Sequence, residues 1–309
     1  VSALVDFMAG DPALDQVPDG TQALVDAIRE RHGAAVQGVL LYGSCRRKND
    51  AGEGLVDLLV LVDRYRPALG GRLAAALNLL LPPNVYYLQT EGPSGTLRCK
   101  YAVIRLDQLE RRVRARHDHY FWARFCQPIR IAHAEPGVRN RLAVLRADAA
   151  VSFARRVAPL LREPRSPAEF WTEAMRRTYR CELRPEPPGA AATLIGHDPD
   201  YWQYMAPALA AEPRAGLLWQ DARLASRRGA LSRLNSALAW GLRRFWGKAM
   251  NLARLFKAAG TFTNGIDYLV WKVERHSGVR IEPTERMRAH PRRAAWGLAW
   301  RTWRQGGFR

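Results

Sequence analysis

The stretches Val36-Gln37-Gly38-Val39-Leu40-Leu41-Tyr42-Gly43-Ser44 and Leu55-Val56-Asp57-Leu58-Leu59-Val60-Leu61-Val62, separated by a polar, glycine-containing loop over residues 45–54, decide the fold class. Continuous Val/Leu runs of this length, bounded by turn residues, suit strands buried on both faces. Working outward, residues 21–32 read as a helix before the first strand, and residues 67–81 as a helix after the second. Strand-like segments follow at 85–89 and 97–106, joined by a Glu-Gly-Pro-Ser-Gly turn. Asp107 is placed to cap a helix leading into Tyr120-Phe121-Trp122, and residues 128–132 read as a last short strand. From about Pro136 the chain turns to Arg/Ala-rich helices, and residues 184–189, with prolines at 185, 187 and 188, read as a loop or linker. The expected architecture is a mixed α/β domain over residues 1–135, a helical domain over 136–230, and a basic helical region over 231–309.

The chain has 309 residues, long enough for two or three modest domains with cores of their own. Its 48 Lys and Arg against 29 Asp and Glu leave +19. Such a surplus attracts a polyanion: nucleic acid, an anionic lipid surface or a multiply phosphorylated substrate. Cys45, Cys99, Cys126 and Cys181 form no CxxC pair, which suggests neither a zinc site nor a disulfide framework and fits a reducing cytosol. No charged-then-apolar leader is evident. Residues 73–90 carry no charge until Glu91, but Pro82-Pro83-Asn84 interrupts them, so they read as a buried helix, a turn and a strand rather than a membrane span.

The first chemical constellation is the buried strand, the Gly43-Ser44 turn, the loop, and a second strand opening with Asp57. A small Gly-Ser turn lets backbone N–H groups and a hydroxyl approach a triphosphate. A carboxylate on the neighbouring strand can then hold the Mg²⁺ that bridges the phosphates, and Arg46, Arg47 and Lys48 supply neutralising charge. Nucleotidyltransferases of the polymerase-β type use this layout. Their usual second carboxylate, two residues on, is Leu59 here. Asp63 lies about 20 Å further along an extended strand, too far to share the ion, which leaves Glu53 in the loop as an option. His117 and His119 lack a third ligand at metal spacing.

Further along stand Asn84-Val85-Tyr86-Tyr87, Cys99-Lys100-Tyr101-Ala102-Val103-Ile104, Asp107-Gln108-Leu109, Tyr120-Phe121-Trp122-Ala123-Arg124 and Gln127-Pro128-Ile129-Arg130-Ile131. In this order and spacing, residues 36–133 resemble the mitochondrial-type phosphatidate cytidylyltransferases (the Tam41 family), with a further echo in Lys257-Ala258-Ala259-Gly260-Thr261-Phe262. Ala102 and Leu88 depart from that family's usual glycine and asparagine. The resemblance implies a polymerase-β-type nucleotidyltransferase domain, a winged-helix-like domain and a membrane-associating C-terminal helix. It also implies Mg²⁺ dependence and the conversion of CTP and phosphatidic acid to CDP-diacylglycerol and pyrophosphate. Lys100 is then the cation for the lipid phosphate or the α-phosphate, and Tyr86, Tyr87 and Tyr101 are candidate substrate contacts. A phosphomonoester nucleophile is already anionic at neutral pH, so it needs positioning more than a strong base.

In the tail, His290-Pro291 can start a helix. On it Trp296, Trp300 and Trp303 share a face with Ala299, flanked by Arg293, Arg301 and Arg304. Tryptophan favours the headgroup region and arginine attracts anionic lipid, so this reads as a membrane contact. The expected location is peripheral, on the cytoplasmic face of a bacterial inner membrane, or the matrix side of the inner membrane in a mitochondrion. Nucleic acid is the weaker partner, because no RRM, KH or zinc-knuckle pattern stands in the chain. Transfer to RNA, a sugar phosphate or a protein, and a non-catalytic lipid- or nucleic-acid-binding role motivated by Leu59, remain alternatives.

Overall fold

The structure, a computed structural model, describes residues 2–43, 46, 51, 54–93, 95–182, 187–261 and 285. The two decisive runs form β1 (Val36–Leu41) and β2 (Leu55–Val62), central in a five-stranded mixed sheet of order β3-β4-β2-β1-β5. β3 spans Asn84–Gly92, β4 Gly95–Arg105 and β5 Arg130–Ala134. Only the β2–β4 pair is parallel among these neighbours; the others are antiparallel.

Each central strand is buried on both sides. On one face Val39, Leu41, Leu58, Val60 and Val103 pack with Leu24, Val25 and Ile28 of α2 (Thr21–His32). On the other, Leu40, Leu59, Leu61 and Ile104 pack with residues of α5 (Leu106–Arg114), α6 (His119–Phe125) and α7 (Val138–Val157). This second face carries the candidate site.

Several expectations need correction. The helix expected over residues 67–81 is two: α3 (Tyr65–Leu69) and α4 (Arg72–Leu80), broken at Gly70, whose φ of +68° continues no helix. Nor is α4 buried through its leucines, since Leu73 and Leu80 are 74% and 73% exposed. Asn78 takes the inward position, donating its Nδ2 to Val103 O at 2.9 Å, and this polar anchor turns the leucines outward. Asp107 is not the cap of α5: Arg105 is, and Asp107 sits in the first turn, accepting from Arg105 Nε at 2.9 Å and Arg111 Nη1 at 3.1 Å.

A second core joins α7, α8 (Pro167–Tyr179), α9 (Ala190–Gly196) and α10 (Pro199–Ala211) around Phe153, Phe170, Trp171 and Trp202. α8 starts at a capping box in which Ser166 and Glu169 satisfy each other's backbone N–H groups. This unit is not purely helical: β6 (Leu217–Gln220) and β7 (Arg223–Ser226) form a hairpin, extended by a bridge between Leu224 and Arg165. α1 (Ala3–Ala9) also belongs here rather than with the sheet. Its Leu4 and Met8 are fully buried in the second core, and Arg146 of α7 donates to Met8 O at 2.9 Å. The long α11 (Ala230–Thr261) then runs back to the sheet domain, where Arg254 Nε meets Pro82 O at 3.2 Å. No helix among the described residues is long and apolar enough to cross a membrane.

Candidate functional site

β1 ends at Leu41; the next residue, Tyr42, donates its N–H to Asp57 O at 3.4 Å, and the chain leaves the sheet at Gly43 with φ +75°. A Cβ on Gly43 would lie 3.6 Å from Asp57 Oδ2. Glycine therefore supplies the left-handed backbone here, while the Cβ position itself stands at ordinary contact distance from the carboxylate. Ser44, Arg47, Lys48 and Glu53 lie outside the described residues.

Parallel pairing makes Asp57 and Lys100 register partners, so their side chains share a face, and Lys100 Nζ lies 3.1 Å from Asp57 Oδ1. Both side chains remain partly open, 28% exposed for Asp57 and 37% for Lys100, so a ligand can reach the pair. Tyr87, the register partner of Lys100 on β3, shares that face but is buried, its hydroxyl 3.5 Å from Gln89 Oε1. Tyr86 and Tyr101 do not belong here. Strand alternation sends them to the α2 side, where their rings stack 5.4 Å apart and His32 Nε2 meets the Tyr101 hydroxyl at 3.0 Å. There burial pushes the Tyr101 phenol well above its usual pKa. The expectation that these two touch substrate is corrected: they build core.

Arg46 also points elsewhere. It is buried and paired with Asp198, the residue preceding α10, and so ties the loop to the second core.

The structure adds cations that the sequence reading left without a role. Arg124 of α6 stacks on the Tyr120 ring, its guanidinium carbon 3.6 Å from the centroid, with Glu182 at 3.9 Å. Burial works to lower its pKa, but the negative potential of Tyr120, Glu182, Tyr42 and Asp57 outweighs this and raises it. Arg254 of α11 lies 4.4 Å from the same ring. Beside it, Lys257 Nζ meets Asn78 Oδ1 at 3.3 Å, and burial, with help from Arg254, lowers its pKa to about 8. Leu40, Tyr42, Leu59, Ala102, Tyr120 and Arg124 line a narrow cavity of about 20 Å³, room for roughly one water. The signal for Arg124 is the helical i, i+4 spacing from Tyr120, which lets cation and ring meet.

Mg²⁺ fits this site only in part. Leu59, at the usual second-carboxylate position, is 5% exposed inside the core. Among the described residues no three His, Cys, Asp or Glu side chains gather as a metal cluster. Asp57 can offer one ligand, and Mg²⁺ commonly takes one or two carboxylates with the remainder from phosphate and water. The donor set suits an ion arriving with a nucleotide rather than a caged one.

No protein-family model and no curated protein matches the chain. Among solved structures, the crystal structure of a nucleotidyltransferase-like protein from Exiguobacterium sibiricum 255-15 aligns over 78% of each chain, at 13% identity and a TM-score of 0.27.

Proposed function

We propose that this chain is a nucleotidyltransferase working at a membrane surface, and that its reaction is CTP plus phosphatidic acid to CDP-diacylglycerol plus pyrophosphate. The observation that carries the reading is the trio of neighbours where β1 and β2 meet their connecting loop: a left-handed glycine against a carboxylate, and a lysine 3.1 Å from that carboxylate. Gly43 leaves room for a triphosphate against the main chain. Asp57 would hold the Mg²⁺ that accompanies it, and the ion would there neutralise phosphate charge. Lys100 and Arg124 position the incoming phosphomonoester and screen its repulsion from the triphosphate. An oxygen of phosphatidic acid attacks the α-phosphorus of CTP, the bond to the bridging oxygen breaks, and pyrophosphate leaves with that electron pair. No base is required, because the attacking oxygen is already ionised near neutral pH.

Lipid as acceptor rests on the sequence resemblance and on the +19 charge. The test is product analysis with Mg²⁺ and labelled CTP, offering phosphatidic acid vesicles, RNA and a sugar phosphate in parallel. Label confined to the lipid supports the reading. Label on another acceptor keeps the transferase and replaces the substrate, while failure to bind Mg²⁺-CTP favours a non-catalytic binding protein.

A further inference from the structure

α11 is held to the body along one side. Ser236 Oγ and Trp240 Nε1 both donate to Arg156 O, at 2.6 and 2.9 Å; Arg243 Nη2 donates to Arg116 O at 3.2 Å; and Gly247 packs against Cys181 and His119. These positions recur every three or four residues, so they form one helical face. The opposite face carries Leu231, Leu234, Leu238, Leu242, Phe245 and Leu252, between 49% and 80% exposed among the described residues. That stripe is about 32 Å long at the α-helical rise. An unbroken apolar row of this size marks a contact surface rather than scattered exposure.

Charge decides the partner. α11 holds six cations (Arg233, Arg243, Arg244, Lys248, Arg254 and Lys257) and no Asp or Glu. Arg244 and Lys248, one turn apart, are exposed and border the stripe. A second copy laid along this face would bring its own Arg244 and Lys248 against this pair, whereas an anionic bilayer complements both features. A second apolar row, Leu73, Leu77 and Leu80, is exposed on α4, and α11 is bonded to the end of α4 through Lys257 and Leu81 O.

We propose that the outer face of α11 lies in the interface of an anionic bilayer, with the helix axis parallel to the membrane plane. This rests on the membrane-surface reading above and names the surface that performs it, distinct from Trp296, Trp300 and Trp303, which lie outside the described residues.

The test is flotation of the full chain with vesicles of phosphatidylcholine containing phosphatidylglycerol, an anionic lipid that is not the proposed substrate. The triple variant L238S/L242S/F245S is expected to lower the partition coefficient about tenfold or more, since three apolar side chains no longer leave water. Its Tm and its turnover of water-dispersed short-chain phosphatidic acid are expected to match wild type. Unchanged partitioning overturns the proposal. So does a clear drop in Tm, which would mean that the chain itself, residues 262–309 included, covers the stripe, and so does conversion of a dimer to a monomer. Because docking is read on a non-substrate lipid, a failed transferase assay leaves it standing.

Discussion

Lys100 Nζ and Asp57 Oδ1 sit 3.1 Å apart because their Cα atoms are partners in the parallel β2–β4 register. The sheet thus sets a lysine on the neighbouring strand directly beside the carboxylate, while Leu59 occupies the usual second-carboxylate position. Asp57→Asn and Lys100→Met are each expected to lower kcat about a hundredfold to a thousandfold. Because the two side chains act as one unit, the double variant should lose far less than the product of the single losses. Steady-state kinetics of the three variants checks this, and strictly multiplicative losses would contradict a shared role.

Gly43→Ala places a Cβ 3.6 Å from Asp57 Oδ2 on a backbone at φ +75°. The left-handed conformation costs a non-glycine residue roughly 1–2 kcal/mol. Gly70→Ala meets the same backbone difficulty at φ +68°, with nothing within 4 Å of its Cβ. Both variants are expected to lose stability by similar amounts in urea melts, while only Gly43→Ala loses turnover. Equal activity in the two would detach Gly43 from the site.

Gly247→Ala tests how α11 docks. The added Cβ would meet Cys181 O and His119 Cε1, each at 2.7 Å, and a backbone carbonyl cannot swing aside. Overpacking of this kind costs about 1–3 kcal/mol, despite alanine's better helix propensity. Thermal melts should show a lower Tm; a stabilised variant would mean that α11 sits further from the body.

His119 gives a pH dependence with a defined sign. Burial, supplemented by the charge of Arg254 against an opposing hydrogen bond to His117, lowers its pKa from 6.5 to about 4. The unfolded chain therefore binds this proton more readily than the folded one, and stability rises with pH. The contribution is complete above about pH 6.5 and is lost as pH falls toward about 4. His119→Gln should show a shallower fall in Tm across that window than wild type. Parallel curves would remove His119 as the cause.

Much of the sheet was legible because β1 and β2 are dominated by continuous Val/Leu runs, and runs bounded by glycine and polar residues have few other solutions. Parity within a strand was legible too: Tyr86 and Tyr87 are adjacent, so one had to face away from Lys100. Register between strands was not, and only register puts Asp57 beside Lys100. The leucines of α4 misled because an uncharged stretch resembles a buried one until Asn78 is seen holding Val103 O. α1 offers a seven-residue pattern with no hint that its partner is the second core. Arg124 meets Tyr120 within α6 at a spacing that local sequence does encode, but Arg254 reaches the same ring from α11, a tertiary coincidence that no local spacing shows.

The most direct measurement follows the two ends of the nucleotide, using CTP labelled at either the α- or the γ-phosphate, with Mg²⁺ and phosphatidic acid vesicles. The account predicts α-label in the lipid phase and γ-label in aqueous pyrophosphate, in equal amounts, with both signals nearly abolished in Asp57→Asn. Lipid free of α-label, or an Asp57→Asn protein as active as wild type, would contradict it.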